Sequence, residues 1–361
     1  MRNRIDALRG LMSERSIDAL LVTSEINVHY LTGFTGDSSY LLVSEDRAAI
    51  LSDRRYEIQI ASECSAIEAF IRGPDRQMLQ VVEEAVGAFG CAAVGLESAH
   101  TSWNLVQSLQ EAMGKVEFIA TQNLVESLRQ IKDPGELEII RQAIAIAERT
   151  FGAIRATLSG DQCELEIAYQ IEHWIRHFGG TGCGFDSIVA VGCNAALPHA
   201  QPGSRQIQDD PVLLLDWGAK FQGYTSDLTR MTCVGAPAGR FAEIYPIVLD
   251  AQLAAIEAIR PGATFRDVDA AARDLITRAG YGDNFNHGLG HGIGLEIHES
   301  PRMASSIDGE LRKGMIVTVE PGIYLPGEVG VRIEDDILVT SGGHEVLSSL
   351  PKGLADCTIM L

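Results

Sequence analysis

Apolar positions recur at helical spacing over residues 4–12. They then condense into short runs at 19–23, 40–43 and 48–51. A period near 3.6 marks an amphipathic helix, and a short apolar run between polar punctuation marks a buried strand. Residues 77–86 and 105–113 return to helical spacing. Residues 1–122 therefore read as a mixed α/β domain. Its densest polar cluster, Asp53-Arg54-Arg55-Tyr56, follows a strand pattern and reads as a strand-to-helix boundary.

A domain boundary is expected across 123–132, which leaves 123–361 as a second domain. Asp133-Pro134-Gly135-Glu136 opens a long helix: Asp caps it, Pro suits the first turn, and Glu three residues after the cap closes a capping box. Leu137, Ile140, Ala143, Ile144 and Ala147 follow at helical spacing. Gly160-Asp161 with Glu164 predicts the start of a further helix, ending at Gly179-Gly180. Beyond residue 180 glycine becomes dense and strand patterns dominate.

Two segments there place acids at strand ends. In DWGAKFQGYTSDLTR, an apolar strand over 212–215 ends at Asp216, and 224–234 reads as the returning strand. A hairpin symmetric about the Phe221–Gln222 bond sets Asp216 opposite Asp227. Directly opposed residues have Cβ atoms about 4.5–5.5 Å apart. Two carboxylates that close repel unless a cation lies between them. The pattern then repeats. An apolar strand over 315–319 ends at Glu320, GVRIEDDILV follows, and a hairpin centred on Gly327 sets Glu320 opposite Glu334. Arg332 shares a face with Glu334. Two acid-bearing hairpins suggest an internal duplication.

Histidines gather in HGLGHGIGLEIHE, which holds His287, His291 and His298. Its alternate glycines argue against a helix. An extended run from 287 to 297 puts His287 and His291 on one face, leaves the glycines for close backbone approach, and places His298 past the strand end. His199, beside Pro198, reads as a mobile or surface loop residue. Four carboxylates with one imidazole form an oxygen-rich set suited to two divalent cations such as Mn²⁺, Co²⁺ or Zn²⁺. Such a pair supports hydrolysis.

Composition narrows the field. The formal net charge of −20 disfavours nucleic acid and anionic membranes as partners. Seven cysteines, an odd number without any CxxC, fit a reducing cytoplasm better than a disulfide framework. The N-terminus has no signal-like apolar core, and no run reaches membrane-spanning length.

The ordered set Asp216, Asp227, His291, Glu320, Glu334 resembles the ligand set of the pita-bread metallopeptidases, which include aminopeptidase P, prolidase and methionine aminopeptidase. INVHYLTGFTGDSSYLLV and LSDRRY resemble the creatinase-type N-terminal domain of the proline-specific branch. The resemblance implies an α/β (α+β) chain: a creatinase-like domain over 1–122, then a pita-bread catalytic domain over 123–361 with pseudo-two-fold symmetry. It implies two divalent ions, Mn²⁺ foremost. Asp216 chelates one, Asp227 and Glu334 bridge both, and His291 and Glu320 complete the other site. Glu320 also shuttles a proton. His199 and His298 bind the scissile carbonyl and stabilise the oxyanion, and His287 lines the substrate pocket. Arg332 contacts the downstream side of the substrate or supports the bridging ligand. The implied substrates are peptides with proline in second position, and the implied assembly is a homodimer. A methionine-aminopeptidase-like enzyme, a non-peptidase lyase or hydrolase of the same fold, and a silent binding protein are the alternatives. The Arg-x-Glu arrangement and the N-terminal domain weigh against the first, and the complete acid set weighs against the last.

Overall fold

The computed structural model describes residues 2–361, and the chain divides into two compact units, the first running to Arg129 and the second from Gln130 to Leu361. In the first, α1 (Arg2–Ser13) precedes β1 (Ala19–Val22), α2 (Glu25–Thr32), β2 (Tyr40–Ser44), β3 (Ala48–Asp53), α3 (Glu57–Glu63) and β4 (Glu68–Arg72). It continues through α4 (Met78–Phe89), β5 (Ala93–Glu97), α5 (Trp103–Ala112), β6 (Glu117–Thr121) and α6 (Leu124–Arg129). Six strands form one mixed sheet in the order β4-β3-β2-β1-β5-β6. The central strands are apolar on both faces, as a covered sheet requires, and Leu21, Leu42, Leu51, Val82 and Leu109 are fully buried in its core. The edge strands β4 and β6 are half-exposed and carry charged residues, so their pattern is weak in the sequence. Asp53 closes β3, and Tyr56 stands at the residue before α3 without a side-chain capping bond, so the cluster spans a strand-to-helix boundary as expected.

The second unit opens with α7 (Pro134–Thr157) and α8 (Glu164–His177). The capping box forms as predicted: Asp133 accepts from the Glu136 N–H at 2.9 Å, and Glu136 accepts from the Asp133 N–H at 2.9 Å. The start of α8 differs from the sequence reading. Asp161 accepts the Ser159 hydroxyl inside a turn, and the helix begins at Glu164, where Glu166 accepts the Cys163 N–H at 2.9 Å.

Next come β7 (Gly182–Cys183), β8 (Ile188–Val191), a 3₁₀ turn (Gly192–Ala196), β9 (Val212–Trp217), β10 (Ala219–Phe221), β11 (Tyr224–Thr225) and β12 (Leu228–Val234). Two helices that the strand-dominated reading missed follow, α9 (Gly239–Ala258) and α10 (Phe265–Arg278). The chain ends with β13 (Gly290–Gly292), β14 (Glu299–Met303), β15 (Ile316–Val319), β16 (Gly322–Leu325), β17 (Val329–Arg332), β18 (Asp335–Val339), β19 (His344–Val346) and β20 (Thr358–Ile359). The helix-pair-then-hairpin order thus occurs twice. The first hairpin lies in the sheet β20-β12-β9-β8, and the second in β14-β13-β15-β18-β19. The helices cover these sheets through two buried apolar clusters, one around Trp217, Phe151 and Leu215, the other around Tyr245, Val248, Val317 and Ile337. No helix of the described residues is long and apolar enough to cross a membrane.

Candidate metal centre

The first hairpin brings its acids together in a register different from the predicted one. Gln222 and Gly223 both have positive φ, 46° and 89°. They form a two-residue turn of the kind that matches strand twist. Phe221 therefore pairs with Tyr224, and further along Asp216 pairs with Thr229, not Asp227. The returning strand is also broken at Ser226-Asp227. At the break the Asp227 N–H leaves its hairpin and donates to Asp336 of the second one at 3.1 Å.

The second hairpin keeps the predicted register: Val319 pairs with Asp335 and Gly322 with Arg332, so Glu320 and Glu334 stand level. There too the ladder opens. The Glu320 N–H donates to the Leu289 carbonyl at 2.9 Å, and the Glu334 N–H to the Thr229 carbonyl at 3.3 Å. The Thr229 hydroxyl donates to the Glu334 carboxylate at 2.7 Å. The hairpins are thus cross-linked where both ladders are interrupted, and the interruptions carry Asp227, Glu320 and Glu334, while Asp216 stays within β9.

The histidine segment is not one extended run. Only Gly290–Gly292 is strand; the chain then turns and returns as β14, with His291 opposite Arg302. A side chain at 290 would lie 2.1 Å from the Thr318 carbonyl oxygen, so glycine permits the close approach of β15. The reversal brings His298 back over His291, with ring centroids 4.5 Å apart. His291 Nδ1 lies 3.1 Å from the Gly292 carbonyl, which can only accept. Nδ1 therefore holds the proton, and the Nε2 lone pair faces Asp227 at 3.6 Å and Glu320 at 3.5 Å. That tautomer is the one a metal ligand needs.

Asp227, His291 and Glu334 each offer a ligand atom within 4.8 Å of the others, inside the reach of one cation. Asp216 Oδ1, Asp227 Oδ1 and Glu334 Oε1 are buried, and no hydrogen-bond donor among the described residues reaches them. A buried carboxylate oxygen without a donor is costly. Burial, then the Glu334 and Asp216 charges, push the Asp227 carboxyl well above the usual range. Burial, then Glu320 and Asp216, do the same to Glu334. Burial raises Glu320 to about 8 against the opposing charge of Arg332, and lowers His291 to about 4. Divalent cations relieve all four shifts at once, so the donor set fits metal.

Asp216 is held differently. Arg332, itself buried, donates to it at 2.5 Å, to the Thr229 hydroxyl at 3.1 Å, to the Pro198 carbonyl at 3.3 Å and to the Tyr324 hydroxyl at 2.9 Å. His287 Nδ1 lies 2.8 Å from the Gly288 carbonyl, so its Nε2, 2.9 Å from the Tyr324 hydroxyl, accepts from it. Tyr324 and Thr229 belong to no metal-ligand or acid–base motif in the sequence. Tyr324 stands four residues from Glu320 along one strand direction and Thr229 two from Asp227, so the period-two rule applied from the acids reaches both.

One cavity of about 560 Å³ is lined by Asp216, Asp227, His291, Glu320, Glu334, His199, His287, His298 and Arg332. All nine predicted residues meet there. His199 and His298 are exposed on its wall, and Phe185, Ile188, Pro198, Met303 and Ile307 add apolar surface.

Comparison with known proteins agrees with this geometry. Residues 138–341 match Metallopeptidase family M24, and 4–131 match the Creatinase/Prolidase N-terminal domain. The chain is 34% identical to an Xaa-Pro dipeptidase of Pyrococcus horikoshii, over 98% of this chain and 99% of that protein. Among solved structures, an Xaa-Pro dipeptidase from Bacillus anthracis superposes with a TM-score of 0.95 at 40% identity, covering 100% of this chain and 99% of that one. An X-Pro aminopeptidase from Thermotoga maritima superposes at 0.88 with 35% identity, covering 97% and 100%. The chain belongs to metallopeptidase family M24, with a pita-bread catalytic domain behind a creatinase-type N-terminal domain.

Proposed function

We infer that this metallopeptidase hydrolyses the Xaa-Pro bond of dipeptides, with Asp216, Asp227, His291, Glu320 and Glu334 holding two divalent ions, Mn²⁺ foremost. The observation that carries the metal reading is the group of buried carboxylate oxygens without donors around Asp227 and Glu334. When bound, the ions supply the Lewis acidity that acidifies a water and polarises a carbonyl. Glu320 is the most accessible of the four acids, its side chain 18% exposed against 7% for Asp227. It is therefore the group placed to take a proton from the attacking water and return it to the leaving nitrogen. His199 and His298 stand on the wall where a scissile carbonyl would lie, and their ring N–H groups would stabilise its developing charge. Arg332 is occupied with Asp216, Thr229 and Tyr324, so it acts by orienting Asp216.

Length selection has its own candidate. Arg302 is exposed, lines the same cavity, and forms no ion pair among the described residues. It pairs with His291 across the ladder between β13 and β14. A guanidinium there matches the carboxylate that ends a dipeptide. The apolar residues Phe185 and Ile307 suit a proline ring, and the bond before proline lacks the N–H that general peptidases engage. Seven free thiols support residence in the cytoplasm; a homodimer is proposed on the family resemblance alone, and light scattering is its measure.

The test is a substrate panel of Ala-Pro, Met-Pro, Ala-Pro-Ala and Met-Ala, assayed after chelation and after addition of Mn²⁺, Co²⁺ or Zn²⁺. Metal-dependent cleavage of the two Xaa-Pro dipeptides, with the tripeptide and Met-Ala poor, is expected. Preferred cleavage of Met-Ala overturns the proline reading, and equal cleavage of Ala-Pro-Ala overturns the dipeptide one.

A further inference from the structure

His199 is exposed on a loop, yet the loop that carries it is closed at its neck by a single buried acid. Glu164, 1% exposed at the first position of α8, sends its carboxylate into that neck. One oxygen accepts from the Val191 N–H at 2.7 Å and from the Asn194 side-chain amide at 2.8 Å; the other accepts from the Gly203 N–H at 2.9 Å. Val191 ends β8, where the loop leaves, and Gly203 is where it returns. The backbone repeats the closure: the Leu165 N–H donates to the Gly203 carbonyl at 3.1 Å and the Glu164 N–H to the Arg205 carbonyl at 3.0 Å.

The middle of the loop is seated on the catalytic hairpin. The 3₁₀ turn lies so close to β17 that a side chain at 330 would stand 1.9 Å from the Ala195 carbonyl oxygen. Two residues on, the Arg332 guanidinium donates to the Pro198 carbonyl at 3.3 Å, next to His199. A compact loop with joined ends and an internal anchor is a rigid support rather than a tether.

We propose that Glu164 is a positioning residue for the hydrolytic reaction: its carboxylate fixes the neck of loop 192–202 and so sets where His199 meets the substrate carbonyl. This rests on the role given to His199 above. A donor displaced by about 1 Å loses most of its effect on the transition state, and Glu164 holds both ends of the segment that places this one.

The experiment uses full-length protein reconstituted with manganese and assayed on Ala-Pro. Glu164→Gln keeps the volume but sets a donor against one of the three donors it now satisfies. Expected are a fall of about 10-fold in kcat with KM within about twofold, and faster amide exchange in peptide 192–202 alone. The double variant with His199→Ala should be no slower than His199→Ala by itself, because a misplaced histidine and a missing one forfeit the same contact. Asn194→Ala removes one of the three bonds from the loop side, gives the same result at smaller amplitude, and serves as the test if Glu164→Gln does not fold. An unchanged kcat in both variants, or a loss that multiplies in full with that of His199→Ala, overturns the proposal and leaves the peptidase reading intact. If His199→Ala itself leaves kcat unchanged, the role of His199 fails and the positioning role falls with it.

Discussion

Tyr324 carries its hydroxyl between Arg332, which donates to it, and His287, which accepts from it. Burial raises the phenol to about 12 and lowers the imidazole to about 4. The phenol therefore keeps its proton, and His287 Nε2 stays free to accept it. Through Arg332 this chain of bonds reaches Asp216. Tyr324→Phe removes only the hydroxyl. Partners of metal ligands typically contribute 10–100-fold to metal affinity or rate, so kcat or manganese affinity should fall at least 10-fold, while stability changes by about 1–1.5 kcal/mol. Titration calorimetry and steady-state kinetics on the same preparation decide it; wild-type values in both would show that the hydroxyl is packing only. Tyr324 was legible in principle, since it lies an even number of residues from Glu320, which stands in the gap between β15 and β16. Acids and histidines mark the ligands of a site in sequence, but a tyrosine that orients them carries no such mark.

At the scale of elements, the two acid hairpins show what sequence symmetry can reveal. The second turns at Gly327, whose φ of 77° suits glycine, and a centre placed there gives the observed register. The first turns at Gln222-Gly223, and the positive φ of Gln222, a conformation glutamine seldom adopts, moves the pairing of Asp216 from Asp227 to Thr229. The return of His298 over His291 depends on a chain reversal with no strong turn signature in GIGLEIHE, so the sequence marks the residue but not its placement. The β3–α3 junction is a strand-to-helix boundary, and its chemistry explains why the polar cluster is needed. Asp53 accepts from the Arg55 side chain at 2.8 and 3.0 Å and from Arg72 at 3.2 Å, and these contacts hold its carboxyl down at about 2. A depressed carboxyl contributes stability that is complete above its unfolded value near 4 and lost as pH falls toward 2. Asp53→Asn should therefore destabilise the first unit at pH 7 by about 1–3 kcal/mol. The gap from wild type should close across pH 4 to 2, as denaturant titrations at each pH would record. A gap that stays constant down to pH 2 would assign the loss to packing instead.

For the whole molecule, the decisive feature is that its acids are divided between two environments. Most of the acids behind the net charge of −20 lie outside the buried set, whereas Asp227, Glu320 and Glu334 meet in one cavity with their carboxyls raised by burial. A carboxyl whose folded value lies above its unfolded one contributes stability that is complete below the unfolded value, and that contribution is lost as pH rises through the folded one. The metal-stripped protein should therefore lose stability from about pH 5 to pH 8, the window that ends where Glu320 titrates. The loss should be on the order of 2 kcal/mol, or several degrees in the transition of the catalytic unit. Manganese bound to the same carboxylates replaces the proton as their counter-charge, and protons compete with it less as pH rises. The difference in Tm between loaded and stripped protein should accordingly widen steadily over that window. Glu320→Gln leaves the surface untouched and removes one buried titration, so it should flatten the stripped protein's decline near pH 8. If stripped wild type holds a constant Tm from pH 5 to 8, or Glu320→Gln declines as steeply as wild type, these acids do not share buried charge, and the cavity loses its physical reason to hold cations.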